Sequence, residues 1–101
     1  MKVGVDLTLP SRFAGKEDKF SRRVLTPEER ADYERCDCKD RAEFLAKRWA
    51  AKEAIFKATQ DSKYLEYSVL ARDGGFFVKD RPEIKLSVGG DGDCVVAVAI
   101  I

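Results

Sequence analysis

Histidine is absent from the 101 residues, and cysteine occurs only three times, at Cys36, Cys38 and Cys94. Without an imidazole and with three thiols, one chain cannot supply the four nitrogen and sulfur ligands of a tetrahedral zinc site. The odd thiol count and the C-x-C spacing also fit no secreted disulfide framework, so the cysteines read as reduced residues in a turn and a strand. Long hydrophobic runs are missing as well. The longest, Cys94 to Ile101, is far too short to cross a bilayer. Met1-Lys2-Val3-Gly4-Val5-Asp6 meets charge too early for a signal peptide, so a cytoplasmic protein without a membrane partner is expected. Net charge is scarce too: 19 Lys and Arg oppose 18 Asp and Glu, a formal +1. That balance speaks against a protein that grips nucleic acid through global charge. Repeats, linkers and low-complexity segments are absent. The length allows one hydrophobic core, hence a single domain over 1–101.

What is present is 45% hydrophobic and 37% charged, an ordinary core under a well-solvated surface. Val3, Val5 and Leu7 alternate with Gly4, Asp6 and Thr8, the period of a half-buried strand. From Arg12 to Arg23 the residues are mostly charged around Phe13 and Phe20, which predicts a short helix with a narrow apolar stripe. Thr26-Pro27-Glu28-Glu29 is a helix start: Thr26 as cap, Pro27 in the first turn, Glu29 completing a capping box. Asp40 and Glu43 predict the cap of a longer helix reaching Thr59. Leu65–Leu70 and Phe76–Val78 around Asp73-Gly74-Gly75 predict a β-hairpin. Ile84–Val88 and Cys94–Ile101 then form two further strands around the turn Gly89–Asp93. The fold class is α+β.

Three features carry chemistry. Glu53 projects from the apolar stripe of the long helix, among Ala42, Leu45, Ala46, Trp49 and Phe56. A carboxylate there must be protonated, paired or bound to a cation, and the pairing open to it locally is an i,i+4 bridge to Lys57. Asp6 shares its strand face with Gly4, where a glycine permits close approach, or else it is a solvated strand-end acid. Magnesium takes one or two protein carboxylates and completes its octahedron with water and phosphate, which the two acids would suit. Arg12, Lys16, Lys19, Arg22 and Arg23 oppose only Glu17 and Asp18, a basic face suited to an acidic partner or simply to solvent. No aromatic platform interleaves with it, so nucleic acid is not the expected partner.

Gly4-Val5-Asp6, then Phe20-Ser21-Arg22-Arg23-Val24-Leu25-Thr26-Pro27-Glu28-Glu29, then Phe44-Leu45-Ala46-Lys47-Arg48-Trp49-Ala50-Ala51-Lys52-Glu53-Ala54-Ile55-Phe56-Lys57-Ala58 closely resemble the signature blocks of holo-acyl-carrier-protein synthases. The resemblance implies a 4'-phosphopantetheinyl transferase fold, with an antiparallel sheet packed on a long central helix in a homotrimer. It implies transfer of the 4'-phosphopantetheine arm of coenzyme A to a serine of apo acyl carrier protein, in service of fatty acid or polyketide synthesis, with release of adenosine 3',5'-bisphosphate. It implies magnesium held by Asp6 and Glu53, and Arg48, Lys52 and Lys57 around the nucleotide and phosphates. Glu53 and Lys57 would be the catalytic residues, and Arg12, Lys19 and Arg23 would meet the carrier protein. The general base stays open between Glu53 and a water on the metal. The family's usual S-[ILV]-[ST]-H block reads Ser87-Val88-Gly89-Gly90 here, its hairpin proline is missing at Gly74-Gly75-Phe76, and a helix expected before the last strands is absent. The alternative is therefore a catalytically impaired member that binds carrier protein or coenzyme A.

Overall fold

The computed structural model describes residues 1–101. Strand β1 (Val3–Thr8) is followed by a 3-10 turn, Pro10–Arg12, and by helices α1 (Glu17–Val24), α2 (Pro27–Arg35) and α3 (Arg41–Thr59). A 3-10 turn at Tyr64–Glu66 leads to the hairpin β2 (Val69–Arg72) and β3 (Gly75–Val78), then β4 (Lys85–Gly90) and β5 (Val95–Ile100). The α+β architecture expected from the sequence is the one observed.

Two antiparallel sheets form. β5 lies between β1 and β4, with Asp6 opposite Ala97 and Val88 opposite Ala97 on the other side. β2 and β3 pair by themselves, Val69 opposite Val78, through a turn in which Asp73 (φ 50) and Gly74 (φ 79) are left-handed. Two successive positive φ values make the type I′ geometry whose twist matches flanking strands, and Asp-Gly supplies it at little steric cost.

The helix α3 packs its deep face on β1 and β5. That face is lined by small residues, Ala50, Ala51, Ala54 and Ala58, and the sheet answers with Ala97, Ala99 and Gly4. Short side chains bring backbone close to backbone, and Gly4 is the extreme case. A Cβ there would lie 1.9 Å from the Ala54 carbonyl oxygen. Around this seam Phe13, Leu45, Ile55, Val69 and Val95 fill the core.

Local expectations fared unevenly. Thr26 and Glu29 form the full capping box at the start of α2, as the sequence predicts. Asp40 makes no side-chain cap. The 3-10 turn Cys38–Asp40 runs straight into α3, so Asp40 already has helical φ and ψ of −100° and −2°. The charged stretch after Arg12 forms its helix only from Glu17, after the left-handed Gly15 (φ 79). Leu65–Ser68 is not strand. Tyr64 and Tyr67 turn inward there: Lys52 donates to the Tyr64 carbonyl (3.0 Å), and the Tyr67 ring is buried with its hydroxyl on Asp61. β4 also runs on through Gly89 and Gly90, so the turn is shorter than expected. Residues 79–84, where the family resemblance implies a helix that this sequence lacks, form turns.

Candidate active site

Gly4 brings β1 onto α3 and so delivers Asp6 to the helix. The Lys57 ammonium bridges the two elements, donating to Asp6 Oδ1 at 3.0 Å and to the Val5 carbonyl at 2.9 Å. Lys57 is thus not the i,i+4 partner of Glu53 that the local pattern offers. A single bond to a carboxylate plus one to a carbonyl, both from a neighbouring strand, outcompete a solvated intrahelical pair worth only about 0.2–0.5 kcal/mol. Glu53, half-buried, instead accepts from the Tyr64 hydroxyl. Burial and this bond push the Tyr64 phenol up to about 12, and the Asp6 carboxylate pushes in the same direction. Glu53 thus meets Tyr64 directly, while Asp6 is joined to Lys57 one turn further along the same helix.

The helix side bearing Glu53 is covered by aromatics. Tyr64 meets Trp49 (centroids 5.9 Å) and Phe56 (6.5 Å) edge-on. Arg12 closes this side, its guanidinium 5.3 Å from the Trp49 ring centre. Asp93 accepts from both the backbone amide (3.2 Å) and the hydroxyl (2.7 Å) of Ser11, which holds the 3-10 turn carrying Arg12 against the β4–β5 turn. That turn explains one departure from the signature. A Cβ on Gly90 would lie 2.9 Å from the Cys94 carbonyl oxygen, and the Asp91 amide already donates to that oxygen (3.0 Å).

Lys52 and Arg48 are placed differently. Lys52 is fully buried. Its ammonium donates to Glu29 Oε1 (2.6 Å), to the Val24 carbonyl (2.5 Å) and to the Tyr64 carbonyl (3.0 Å), which uses all three N–H groups. Burial pulls its ammonium below the usual lysine value, and Glu29 opposes that pull. Glu29 in turn accepts from the Thr26 and Val69 amides (2.8 and 2.9 Å). A lone buried charge would be costly, whereas this pair has its hydrogen bonds satisfied. Arg48 donates from Nε to the Val69 carbonyl (2.9 Å) and lies between the rings of Phe44 (4.0 Å) and Phe76 (4.9 Å). It borders an open groove of about 450 Å³ that Cys36, Lys47 and Phe76 also line. Arg12, Lys19 and Arg23 are exposed, as a face for a partner requires.

The structure thus joins Asp6 to Lys57 directly and sets Glu53, bonded to Tyr64, one turn before Lys57 on α3; Lys52 is engaged inside with Glu29, and Arg48 lies beside a separate groove. Tyr64 went unnoticed in the sequence, where its only signal is an aromatic residue inside a polar loop. No group of three or more cysteine, aspartate or glutamate side chains gathers anywhere in the chain. A cation held by protein groups would have two carboxylates at most. This donor set fits magnesium, a hard cation that commonly binds through one or two carboxylates and leaves its remaining positions to water and phosphate.

Residues 2–90 match the ACPS family, described as the 4'-phosphopantetheinyl transferase superfamily. A holo-[acyl-carrier-protein] synthase of Mycoplasma mobile is 38% identical over 100 residues, covering 97% of this chain and 86% of that protein. The crystal structure of a Bacillus anthracis holo-(acyl-carrier-protein) synthase in complex with CoA (3',5'-ADP) superposes with a TM-score of 0.84 at 29% identity, covering 97% of this chain and 92% of that one. A Chronobacterium ammoniagenes ACPS–CoA complex gives 0.75 at 27% identity, over 97% and 93% of the two chains. With the family matched over residues 2–90 and the fold shared over nearly its whole length, the chain belongs to the 4'-phosphopantetheinyl transferase superfamily, as an enzyme of the holo-acyl-carrier-protein synthase type.

Proposed function

We propose that this protein, as a single domain over residues 1–101, transfers the 4'-phosphopantetheine arm of coenzyme A to a serine of apo acyl carrier protein in the cytoplasm, with magnesium. The observation that carries the proposal is the convergence on α3 of two acids from distant segments: Glu53, and one turn further on Lys57, which is bonded to Asp6 of β1 at 3.0 Å. The Bacillus anthracis relative bound to CoA (3',5'-ADP) supports coenzyme A as the donor.

In this reading Asp6 and Glu53 hold magnesium, which when bound neutralises charge on the pyrophosphate oxygens. Phosphoryl transfer depends mostly on positioning and charge neutralisation, so the lack of a nucleophilic side-chain constellation is no obstacle. Lys57, half-exposed at the end of the bridge from Asp6, supplies a mobile ammonium for a phosphate oxygen. The acceptor of the serine proton would be either Glu53 or a water held at the site, the two candidates the sequence leaves open. Arg48 borders the groove between Phe44 and Phe76 and suits the nucleotide end of the donor through its free guanidinium nitrogens. We assign Lys52 a supporting role rather than a phosphate contact, because all its donors are engaged inside.

Arg12, Lys19 and Arg23 form the docking face for an acidic carrier protein, where surface charge mainly speeds encounter. A trimer is supported by the outer side of the β1–β5–β4 sheet. Val3, Val5 and Leu7 are 50%, 49% and 61% exposed, and they pair across β1–β5 with Ile100, Val98 and Val96. A continuous apolar sheet face of this kind marks an association surface. The proposal is tested by incubating the protein with apo carrier protein, coenzyme A and Mg2+ and following the carrier's intact mass. Gain of the pantetheine arm supports it. Carrier-protein binding without any mass gain would instead establish the impaired binding module.

A further inference from the structure

The partner of Glu53 lies outside every signature block. Tyr64 opens the 3-10 turn Tyr64–Glu66 after α3, and its hydroxyl donates to Glu53 Oε1. We infer that Tyr64 is a positioning residue for Glu53, fixing the carboxylate's orientation so that its second oxygen is presented to a divalent cation. This inference rests on the reading of Asp6 and Glu53 as cation ligands.

Two observations show that Tyr64 is built into place. Its ring stands edge-on to Trp49 at 66° and to Phe56 at 88°. Those residues precede and follow Glu53 by about one helical turn, so the ring is centred over the face from which Glu53 projects. Its backbone is also anchored from inside the protein. The fully buried Lys52 ammonium donates to the Tyr64 carbonyl at 3.0 Å, and Lys52 is itself fixed by Glu29 and by the Val24 carbonyl. The chain of contacts from Glu29 through Lys52 and Tyr64 to Glu53 links the α2 cap to the acid site.

A free glutamate has several side-chain torsions to order when it takes a cation, and a bond already made to one oxygen removes most of that freedom. Ligating carboxylates are commonly held by such partners, whose loss costs about 10–100-fold in metal affinity or activity. Asp6 has its own holder in Lys57, so the two acids are restrained by different residues. Packing alone does not require the hydroxyl, because phenylalanine would fill the same space between Trp49 and Phe56.

Tyr64→Phe therefore isolates the bond. With purified full-length protein and Mn2+ as the only probe, free Mn2+ is read by electron paramagnetic resonance for wild type, Tyr64→Phe and Glu53→Gln. The expected result is Mn2+ affinity weakened by about 10–100-fold in Tyr64→Phe, loss at least as large in Glu53→Gln, and melting temperatures close to wild type. In turnover, the Mg2+ concentration for half-maximal rate rises in Tyr64→Phe while the KM for carrier protein stays unchanged. If Tyr64→Phe binds Mn2+ as wild type does while Glu53→Gln does not, Tyr64 only packs and the inference falls alone. If Glu53→Gln also binds normally, or wild type takes up no Mn2+, the cation reading and this inference fall together.

Discussion

Replacing Gly4 with alanine perturbs the contact that assembles the site. The added Cβ would stand 1.9 Å from the Ala54 carbonyl oxygen, 2.8 Å from the Ala58 nitrogen and 2.9 Å from the Ala54 carbonyl carbon. All three are backbone atoms of α3, so no side chain can swing away. To reach the 3.4 Å at which ordinary contact begins, β1 must retreat from the helix by about 1.5 Å. The strand is tied to β5 along its whole length, from Val3–Ile100 to Thr8–Val95, so the shift is shared with the core rather than absorbed at one residue. Overpacking of this kind costs roughly 1–3 kcal/mol, and here the rigid backbone places it at the upper end. For a domain of this size that corresponds to a melting temperature lower by about 10–20 °C. Activity should fall further than stability accounts for, because Asp6 rides on the displaced strand and a misplacement of about 1 Å can cost on the order of 100-fold. Thermal melts by circular dichroism and turnover measured well below the melting point separate the two effects. Gly75→Ala is the control, since its Cβ meets only the Arg72 carbonyl at a comfortable 3.7 Å. A Gly4→Ala protein with wild-type melting and wild-type turnover would refute the argument that this glycine seats Asp6.

Three further outcomes are expected. Lys52→Met leaves the Glu29 carboxylate buried without its counter-charge, and denaturant unfolding should show a loss of about 3–5 kcal/mol; an unchanged midpoint would mean the pair is dispensable. If the exposed apolar sheet face mediates association, light scattering should show an oligomeric wild type and a monomeric Leu7→Glu variant; a monomeric wild type, or an oligomer unchanged by the substitution, would remove this face as an interface. Reversing Lys19 and Arg23 to glutamate should raise the KM for carrier protein and flatten its salt dependence, with kcat and Mn2+ binding unaffected; an unaltered KM would remove that face from the docking surface.

The features legible in the sequence were those set by near neighbours. Thr26 and Glu29 cap α2 because both partners lie within one turn. The alternation from Val3 to Thr8 gave β1, and Asp73-Gly74 gave the hairpin turn, since each depends on a few adjacent residues. What escaped was decided by contacts across the chain. Glu53 and Lys57 are spaced for an intrahelical bridge, yet the close seat of β1 at Gly4 gives Lys57 to Asp6 instead. Leu65 to Ser68 carries a strand pattern, but Lys52 and Asp61 draw Tyr64 and Tyr67 inward and delay the strand to Val69. Lys52, which the family resemblance sets around the phosphates, is instead drawn inside by Glu29, 23 residues earlier in the chain. The same folding back of the loop puts Tyr64 on Glu53, which no local pattern announces.

The claim that Asp6 and Glu53 together support metal-dependent transfer is tested most directly by intact-mass measurement on apo carrier protein, coenzyme A and Mg2+, with wild type, Asp6→Asn and Glu53→Gln side by side. Wild type should add the arm fully, should add none once the divalent cation is chelated, and neither variant should show detectable addition although both fold. Near-normal addition by Glu53→Gln, or by wild type without a divalent cation, would contradict the claim.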